Sequence, residues 1–301
     1  VPHPESKKLK IVQVDSGDGV LQIVCGAPNV TEGILVPLAK IGGSVKNMPK
    51  LGKVKLVGVE SFGMLCSAKE LGISDDHSGL LILDGDYAPG TDIKSIIDID
   101  DVIIEIDNKS LTNRPDLWGH YGIAREIAAI YGRELKPMKL EDLSASLDKP
   151  KLDITVEDTE KCIRYSGLKI SGVKQLTTPI NMKVRLFYCG MRPISPLVDL
   201  TNYLMLEMGQ PMHAFDSRQV ESGIVVRSTK EPTTFVTLDG IERKLPEDVL
   251  LICNKERPVA IAGIMGGENS EVLEDTTSIL LESANFEGSS TRKSSTRIGL
   301  R

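Results

Sequence analysis

The stretch Leu9-Lys-Ile-Val-Gln-Val-Asp-Ser-Gly-Asp-Gly-Val-Leu-Gln-Ile-Val24 decides the fold of the first third of the chain. Apolar and polar residues alternate along 9–15, which is the period of a half-buried strand. Turn residues follow at Ser16-Gly-Asp-Gly19, and a second apolar run begins directly after them. This is the pattern of a β-hairpin. Further short strands are predicted at 34–39 and 54–57. Short strands separated by glycine turns predict a small β-barrel over residues 1–94.

The next segment, residues 95–148, combines one strand with one helix. Val102-Ile-Ile-Glu-Ile106 has the composition of a strand. Apolar residues recur every three to four positions from Leu117 to Leu135, which predicts a helix with Asp116 as its N-cap. The polar stretch 139–151 is typical of a linker.

From residue 149 onward, strands and helices alternate, which predicts an α/β domain with a mixed sheet. Thr178-Pro179 and Ser195-Pro196 each predict the start of a helix, because an N-cap residue precedes a proline at the first helical position. The second of these helices is expected to end before Gly209. Asp239-Gly240 predicts a hairpin turn. The predicted strands are 165–170, 224–227, 234–238, 249–253, 258–264 and 279–281.

Length and composition exclude several classes of protein. The chain has 301 residues, enough for two domains and a small third, and its 41% hydrophobic and 26% charged residues are typical of a globular protein in water. No apolar run approaches the ~20 residues that span a bilayer, so we expect no contact with a membrane. The start, Val1-Pro-His-Pro4, lacks both Met and the features of a signal peptide, so we expect a piece of a longer protein.

Cysteine spacing and net charge limit the possible ligands. The five cysteines form no CxxC pair and the four histidines have no metal-ligand spacing. This argues against a disulfide framework or a metal site and favours a reducing cytoplasm. The net charge of −6 counts mildly against a large nucleic-acid footprint, although the local field matters more than the total.

Several short motifs occur in an order and spacing that are specific only when taken together. They are Cys25-Gly-Ala-Pro-Asn29, Ser61-Phe-Gly-Met-Leu-Cys-Ser67, Ser110-Leu-Thr-Asn-Arg-Pro-Asp-Leu-Trp-Gly-His-Tyr-Gly-Ile-Ala-Arg-Glu126, Asp199-Leu-Thr-Asn202, Gly209-Gln-Pro-Met-His-Ala-Phe-Asp216, Ala262-Gly-Ile-Met-Gly-Gly267 and Leu281-Glu-Ser283. In these motifs the chain resembles the bacterial-type phenylalanyl-tRNA synthetase beta-subunit family over nearly its whole length. The resemblance implies three parts. Residues 1–94 would form an oligonucleotide-binding (OB) barrel that binds tRNA, and 95–148 would be half of an α+β domain whose other half precedes the barrel. Residues 149–301 would form a B3/B4-type editing domain, truncated at its C-terminus.

The resemblance also implies a function. The chain would belong to a phenylalanine–tRNA ligase that works in the cytoplasm as an α2β2 heterotetramer with the alpha subunit and tRNA(Phe). The aminoacylation site, with its ATP and Mg²⁺, would lie on the alpha subunit. This chain alone is therefore not expected to make Phe-tRNA or to hold a cofactor or a metal. Its own site would hydrolyse mischarged Tyr-tRNA(Phe), with tyrosine or its tRNA ester as the ligand.

Glu282 matches the glutamate with which the family recognises the tyrosine hydroxyl. A hydrophobic pocket rejects an added hydroxyl only about a hundredfold, whereas a site that hydrogen-bonds the hydroxyl discriminates far better. A carboxylate is suited to this role because it accepts a short, charge-assisted bond from a phenol. The alternative is a glutamate at a strand end that faces solvent.

Five further residues match the family's editing pocket. His213, Thr201 and Asn202 would position the water or the ester, and Ala262 and Gly263 would allow close approach of the substrate. The alternative for His213 is a loop histidine that caps a helix or bonds Asp216. For Thr201 and Asn202 the alternatives are a threonine bonded to its own helix and a surface asparagine. For Ala262 and Gly263 the alternative is tight strand packing. Whether His213 is a general base or only positions water stays open.

In the first domain, the candidate tRNA-binding residues are one asparagine in a turn and a run of lysines. The residues are Asn29, Lys40, Lys46, Lys50, Lys53 and Lys55. Lysines on a barrel can contact a phosphate backbone without reading its sequence. The alternative is a solvated face. For the whole chain, the rival functions are a non-catalytic RNA-binding or assembly module and a free-standing editing protein, and the barrel and middle helix argue against the latter.

Overall fold

The computed structural model describes residues 1–146, 148–174 and 177–300, and these form two compact units. The first unit comprises Val1–Ile106 and Pro179–Pro193. The second comprises Asp107–Thr178 and Ile194–Arg301, of which Leu147, Gln175, Leu176 and Arg301 lie outside the described residues. Both units contain strands and a helix, so the predicted mixture of α and β structure is confirmed.

The regular elements follow one another in this order along the chain. The strands are β1 (Lys10–Asp15), β2 (Val20–Cys25), β3 (Leu38–Lys40), β4 (Val54–Leu56), β5 (Val59–Ser61), β6 (Gly63–Leu65), β7 (Ile154–Val156), β8 (Cys162–Ser171), β9 (His213–Asp216), β10 (Ile224–Ser228), β11 (Thr233–Val236), β12 (Glu242–Leu245), β13 (Leu250–Cys253), β14 (Pro258–Ile261), β15 (Met265–Gly266) and β16 (Ser278–Phe286). The α-helices are α1 (His120–Ile130), α2 (Ile180–Tyr188), α3 (Pro196–Met208) and α4 (Gly288–Ile298). Short 3-10 helices lie at Ile93–Ser95, Lys109–Leu111, Pro115–Trp118, Ser144–Ser146, Ser217–Gln219 and Glu268–Ser270.

In the first unit, the predicted hairpin is confirmed. Strands β1 and β2 pair antiparallel, with Lys10 opposite Cys25 and Asp15 opposite Val20. Strands β3 and β6 form a second antiparallel pair, and β4 and β5 form a third. The buried face of β2 contributes to a core with Val30, Leu65 and Leu80. Burial of these apolar side chains is the main force that holds the strand pairs together.

Three expectations for the first unit are not met. The strand predicted at 34–39 covers only Leu38–Lys40. The predicted closed barrel is not confirmed, because the hydrogen-bonded pairs among the described residues stay as separate two-stranded ladders. The strand predicted at 102–106 is wrong: the segment is extended and exposed, with Val102 at 81% and Ile104 at 74%. A segment with the composition of a strand forms one only when another segment pairs with it, and none of the described residues pairs with this one.

The second unit is built on two sheets. One is the antiparallel sheet β8-β16-β9. The other has the order β15-β14-β13-β10-β7, in which β10 and β7 are parallel and the other pairs are antiparallel. The predicted mixed sheet is therefore confirmed. The predicted strands of this region are also present, although β14 ends at Ile261, before Gly263 turns the chain at φ +65°, and β16 extends to Phe286.

A single cluster of buried side chains joins the two sheets of the second unit. Phe215 of β9 and Leu280 of β16 come from the three-stranded sheet, and Val226, Ile252 and Val259 come from the five-stranded sheet. All five are at most 2% exposed. The two inner faces therefore pack against each other, and a polar group on either face would be largely removed from water.

The starts of α2 and α3 agree with the sequence to within one residue. Helix α3 begins at Pro196 after the N-cap Ser195 and ends at Met208, before the C-cap Gly209, which adopts φ +76°. Helix α2 begins at Ile180, and Pro179 is its N-cap rather than its first residue. The Thr178 hydroxyl does not cap the helix because it donates to the Asp199 carboxylate at 2.5 Å.

Helix α1 is shorter than predicted, and Asp116 is not its N-cap. The helix covers His120–Ile130, and Gly119 caps it. The Asp116 carboxylate instead accepts hydrogen bonds from the guanidinium groups of Arg114 at 2.9 Å and Arg125 at 2.7 Å. The chain leaves the helical conformation after the helix, with Gly132 at φ +61°.

A matched pair of glycines tests the packing of α1. A Cβ added at Gly122 would lie 1.6 Å from the Asp116 carbonyl oxygen, whereas a Cβ at Gly288 of α4 would meet nothing within 4 Å. We expect Gly122→Ala to lower the free energy of unfolding by about 1–3 kcal/mol, because a buried backbone must shift. Gly288→Ala should leave it unchanged or raise it by up to about 1 kcal/mol. Urea denaturation of both variants measures the difference, and equal stability would contradict the packing described here.

Some regions carry less structure. The predicted linker 139–151 contains the 3-10 turn Ser144–Ser146, and its Leu147 lies outside the described residues. Within the described ranges, every helix is too short or too polar to serve as a membrane span. In the same ranges, no three His, Cys, Asp or Glu side chains are grouped so that they could hold a metal ion.

Candidate functional site

Glu282 lies in the middle of β16, between the two other strands of its sheet. The antiparallel register places it opposite Gly167 of β8 and opposite His213 of β9. Residues that are directly opposite on antiparallel strands project from the same face of a sheet. Glu282 and His213 therefore lie side by side. The glutamate is 7% exposed, so the expected alternative of a solvent-facing strand end is wrong.

Tyr165 of β8 is the hydrogen-bond donor to Glu282. Its hydroxyl lies 2.9 Å from Oε2 of the glutamate. Burial raises the pKa of the Glu282 carboxyl to about 7, and the bond from Tyr165 opposes that rise. Burial and the neighbouring carboxylate raise the pKa of the Tyr165 phenol well above its usual range, so the phenol keeps its proton and donates.

His213 is a neutral imidazole in this environment. Its side chain is partly buried, and its ring meets Phe215 edge to face, with centroids 4.5 Å apart and an interplanar angle of 78°. Burial lowers the pKa of His213 to about 4, because the charged form loses its hydration. At neutral pH one ring nitrogen is therefore free of a proton and can accept a hydrogen bond from water.

A glycine of the five-stranded sheet lies against the His213 ring. A Cβ added at Gly266 of β15 would lie 2.8 Å from Cε1 and 2.9 Å from Nε2 of the histidine. Only glycine permits so close an approach of backbone to ring. The histidine is thus held between Phe215 of its own strand and the backbone of β15.

Ala262 and Gly263, two other predicted pocket residues, directly follow β14. Ala262 is 2% exposed and belongs to the cluster that joins the sheets. A Cβ at Gly263 would lie 3.1 Å from Phe286 and 3.2 Å from Thr291, so Gly263 packs against the end of β16 and the start of α4. The expected alternative of tight packing applies to both residues.

Helix α3 carries Thr201 and Asn202 and packs against β9. The Thr201 hydroxyl donates to the carbonyl oxygen of Val198 at 2.9 Å, which is the back-bond expected as its alternative. Asn202 is partly exposed on the same helix. The Asp199 carboxylate of this motif is structural, because its oxygens accept from Thr178 at 2.5 Å and from the Ile194 amide at 2.7 Å.

In the first unit, Asn29 has a structural role. Its side chain donates to the Leu80 carbonyl oxygen at 3.0 Å and accepts from the Leu80 amide at 2.8 Å. These two hydrogen bonds fix the loop at Asn29 to the loop at Leu80.

The predicted lysines are exposed, but some are paired. Lys40 pairs with Asp18 at 2.8 Å. Lys53 pairs with Glu60 at 3.0 Å. Lys40 and Lys46 also line a cavity of about 1290 Å³ in the first unit, together with Lys10 and Lys94. Lys50 and Lys55 are exposed and do not line it. The same cavity is also lined by Asp15, Glu32, Glu70 and Asp92, so its lysines are balanced by carboxylates.

Sequence reasoning missed Tyr165 and Gly266 as site residues. The alternation of 165–170 predicted a strand, and Met265-Gly-Gly267 was expected to form a flexible turn. Neither pattern predicts the order of the strands in the sheets. Only the register of β16 with β8 brings Tyr165 to Glu282, because a bond between residues 117 positions apart has no local signal.

Comparison with known domains gives the class of protein. Residues 1–92 match the family described as "Putative tRNA binding domain". Residues 161–301 match the family described as "B3/4 domain". The chain is therefore a multidomain protein that joins these two domains, one at each end.

Comparison with curated proteins gives the family. The chain is 47% identical over 305 residues to the phenylalanine–tRNA ligase beta subunit of Anaeromyxobacter dehalogenans, which covers 100% of this chain and 38% of that protein. It is 43% identical over 301 residues to the corresponding subunit of Dickeya dadantii, with 99% and 37% covered. The chain belongs to the phenylalanine–tRNA ligase beta-subunit family and spans a little over a third of the length of these relatives. A solved N-terminal fragment of the phenylalanyl-tRNA synthetase beta subunit from Pyrococcus horikoshii matches at 18% identity and a TM-score of 0.36, with 64% of this chain and 60% of that one covered, too distant to support an inference.

Proposed function

We propose that this chain binds tRNA and hydrolyses tyrosine that has been attached wrongly to tRNA(Phe), as part of a phenylalanine–tRNA ligase. The observation that carries the proposal is a buried carboxylate, Glu282, directly opposite a neutral imidazole, His213. In this proposal the full protein works in the cytoplasm as an α2β2 heterotetramer with the alpha subunit. Aminoacylation, with its ATP and Mg²⁺, belongs to the alpha subunit, and no cofactor is assigned to this chain.

Glu282 supplies the selectivity. Tyrosine differs from phenylalanine by one hydroxyl, and a hydrophobic pocket separates such a pair by only about 10². A carboxylate inside the protein accepts a strong bond from the tyrosine phenol. When phenylalanine enters the pocket, the same acceptor is left without a partner. That loss disfavours the binding of phenylalanine, so correctly charged Phe-tRNA(Phe) is spared.

His213 supplies the position of the attacking water. In hydrolysis the water oxygen forms a bond to the ester carbonyl carbon, the bond from that carbon to the ribose oxygen breaks, and the ribose oxygen takes up a proton. A neutral imidazole accepts a hydrogen bond from the water and orients it. Asn202 on the neighbouring helix stays assigned to the substrate, as do the small residues Ala262 and Gly263. Thr201 also stays assigned to the site, although its hydroxyl donates its hydrogen bond to the Val198 carbonyl oxygen.

Transfer RNA binding is assigned to residues 1–94, as an OB-type domain, with 95–148 as a partial α+β domain and 149–301 as the editing domain. The match of residues 1–92 to a tRNA-binding family supports this assignment. The exposed lysines of the first unit, Lys40, Lys46, Lys50, Lys53 and Lys55, are the side chains assigned to the phosphate backbone.

A second function, a non-catalytic RNA-binding or assembly module, is favoured by one observation. The Tyr165 hydroxyl already satisfies one oxygen of Glu282. A buried, internally satisfied pair is also what a purely structural core contains. An assay of hydrolysis separates the two functions.

We expect the full protein, purified with its partner subunit, to hydrolyse Tyr-tRNA(Phe) well above the uncatalysed rate. His213→Ala should slow this hydrolysis at least about tenfold, and up to about 10²-fold if the imidazole also takes the proton. Release of labelled tyrosine at limiting enzyme measures the rate. His77→Ala, at an exposed histidine of the first unit, is the control and should keep the full rate. A wild-type rate equal to the uncatalysed one would support the non-catalytic function instead.

A further inference from the structure

The two oxygens of Glu282 differ in their surroundings. Oε2 accepts the bond from the Tyr165 hydroxyl at 2.9 Å. Within the part of the chain that the structure describes, Oε1 has no such donor, and Tyr165 is the only hydrogen-bonding group that acts on the charge of the carboxyl. One oxygen is thus occupied by a phenol of the protein itself, and the other is left for a ligand.

We propose that Tyr165 is a positioning residue for substrate selection: its hydroxyl holds Oε2 of Glu282 so that Oε1 is presented, in the charged form, to the phenol of the substrate. The inference rests on the proposed function of Glu282. It adds a second phenol to the site, one that belongs to the protein and fixes the acceptor for the phenol that enters.

The backbone keeps Tyr165 in place. It lies on β8 opposite Ala284 of β16, two residues along from Glu282, in a ladder that pairs Ser278 through Phe286 with the length of β8. The ladder fixes the main chain at Tyr165, and the side chain packs against the cluster that joins the two sheets. A long glutamate side chain has several rotamers, and a fixed donor at one oxygen selects the one in which that bond is made.

The charge of Glu282 depends on this bond. The titratable groups that face the carboxyl are Tyr165 and Cys162 from β8 and His213 from β9, while the opposing sheet contributes apolar side chains such as Ile154. Burial raises the pKa of the Cys162 thiol to about 11 and lowers the pKa of His213 to about 4, so both are neutral at pH 7. No cation among the described residues stabilises the carboxylate, and the Tyr165 hydrogen bond is the interaction that favours the anion.

The anion is the form that distinguishes a phenol best. A protonated carboxyl accepts only a weaker hydrogen bond between neutral groups, and it can donate its own proton to another acceptor. Selection of tyrosine should therefore increase as pH rises through the pKa of Glu282, about 7. Because the Tyr165 bond lowers that pKa, its removal moves the increase to higher pH.

The test compares wild type, Tyr165→Phe and Tyr121→Phe in the full protein with its partner subunit. The ratio of kcat/KM for Tyr-tRNA(Phe) over Phe-tRNA(Phe) is measured from pH 5.5 to pH 9. The wild-type ratio should rise with a midpoint near pH 7. In Tyr165→Phe the midpoint should move up by about one to two pH units, with a roughly ten- to hundredfold lower ratio at pH 7. Tyr121→Phe, a change of the same size on α1, should behave as wild type.

A second variant keeps the test independent of folding. Site-specific 3-fluorotyrosine at position 165 preserves the shape and strengthens the donor, so the midpoint should move down. An unchanged or larger ratio in Tyr165→Phe, or an unmoved midpoint in the fluorinated protein, overturns the positioning role and leaves the proposed function standing. A wild-type enzyme without any preference for Tyr-tRNA(Phe) at any pH overturns the proposed function itself.

Discussion

Glu282→Ala is expected to lower the preference for Tyr-tRNA(Phe) over Phe-tRNA(Phe) by about 10- to 150-fold at pH 8. The range follows from the roughly 1.5–3 kcal/mol by which a hydrogen bond to a charged group stabilises a complex, at about 1.4 kcal/mol per factor of ten. The loss should fall on the tyrosine substrate, because phenylalanine makes no bond to this carboxylate. The ratio of kcat/KM for the two substrates is the measurement, since it reports differential stabilisation of the transition state.

Two controls separate recognition from a general loss of structure. Glu282→Gln keeps the size of the side chain and one acceptor oxygen, so its preference should fall between wild type and Glu282→Ala. Glu268→Ala removes an exposed glutamate of the same unit and should change nothing. If Glu282→Ala kept the full preference while the protein stayed folded, Glu282 would not be the residue that recognises the phenol.

The largest expected effect on stability is at Leu280. This leucine is 2% exposed and lies on β16, in the cluster that joins the two sheets. Leu280→Ala should lower the free energy of unfolding of the second unit by about 2–5 kcal/mol, because it removes buried methyl groups and leaves a cavity. Urea denaturation, followed by a probe in the second unit, measures the change.

Leu168→Ala is the matched control for Leu280→Ala. It lies on the neighbouring strand β8 but is 43% exposed. Its removal should cost well below the amount expected at Leu280, since much of its surface already contacts water. Equal losses in the two variants would mean that the inner face of the sheet is not where the structure places it.

The sequence predicted correctly those secondary-structure elements that neighbouring residues determine. The Ser16-Gly-Asp-Gly19 turn fixes the first hairpin, and Ser195 with Gly209 sets the two ends of α3. The segment 102–106 shows the limit of this reasoning. Its composition favours a strand, but a strand forms only where a partner supplies hydrogen bonds, and that partner is not set by the segment itself.

The candidate site was only partly visible in the sequence. Resemblance to a family pointed to Glu282 and His213, and the structure makes them neighbours across two strands. The groups that set their chemistry, Tyr165 and Gly266, depend on register between distant segments and on the close approach of a second sheet. Burial itself, which raises the pKa of the glutamate and lowers that of the histidine, is a property of the packed sheets rather than of any motif.

The packing of the two sheets sets the environment of both Glu282 and His213. Apolar side chains from both sheets remove water from Glu282, which strengthens any bond that the carboxylate accepts. The same surroundings keep His213 uncharged, so that it can accept a hydrogen bond at neutral pH. One packed core thus prepares both groups for their proposed roles.

A crystal structure of the protein with L-tyrosine bound tests the central claim most directly. We expect the tyrosine phenol oxygen within about 2.5–3.0 Å of the Glu282 carboxylate, on the oxygen that Tyr165 does not use, with the amino-acid carboxyl group directed toward His213. Tyrosine bound with its phenol away from Glu282, or bound only outside the space between the two sheets of the second unit, would contradict the account.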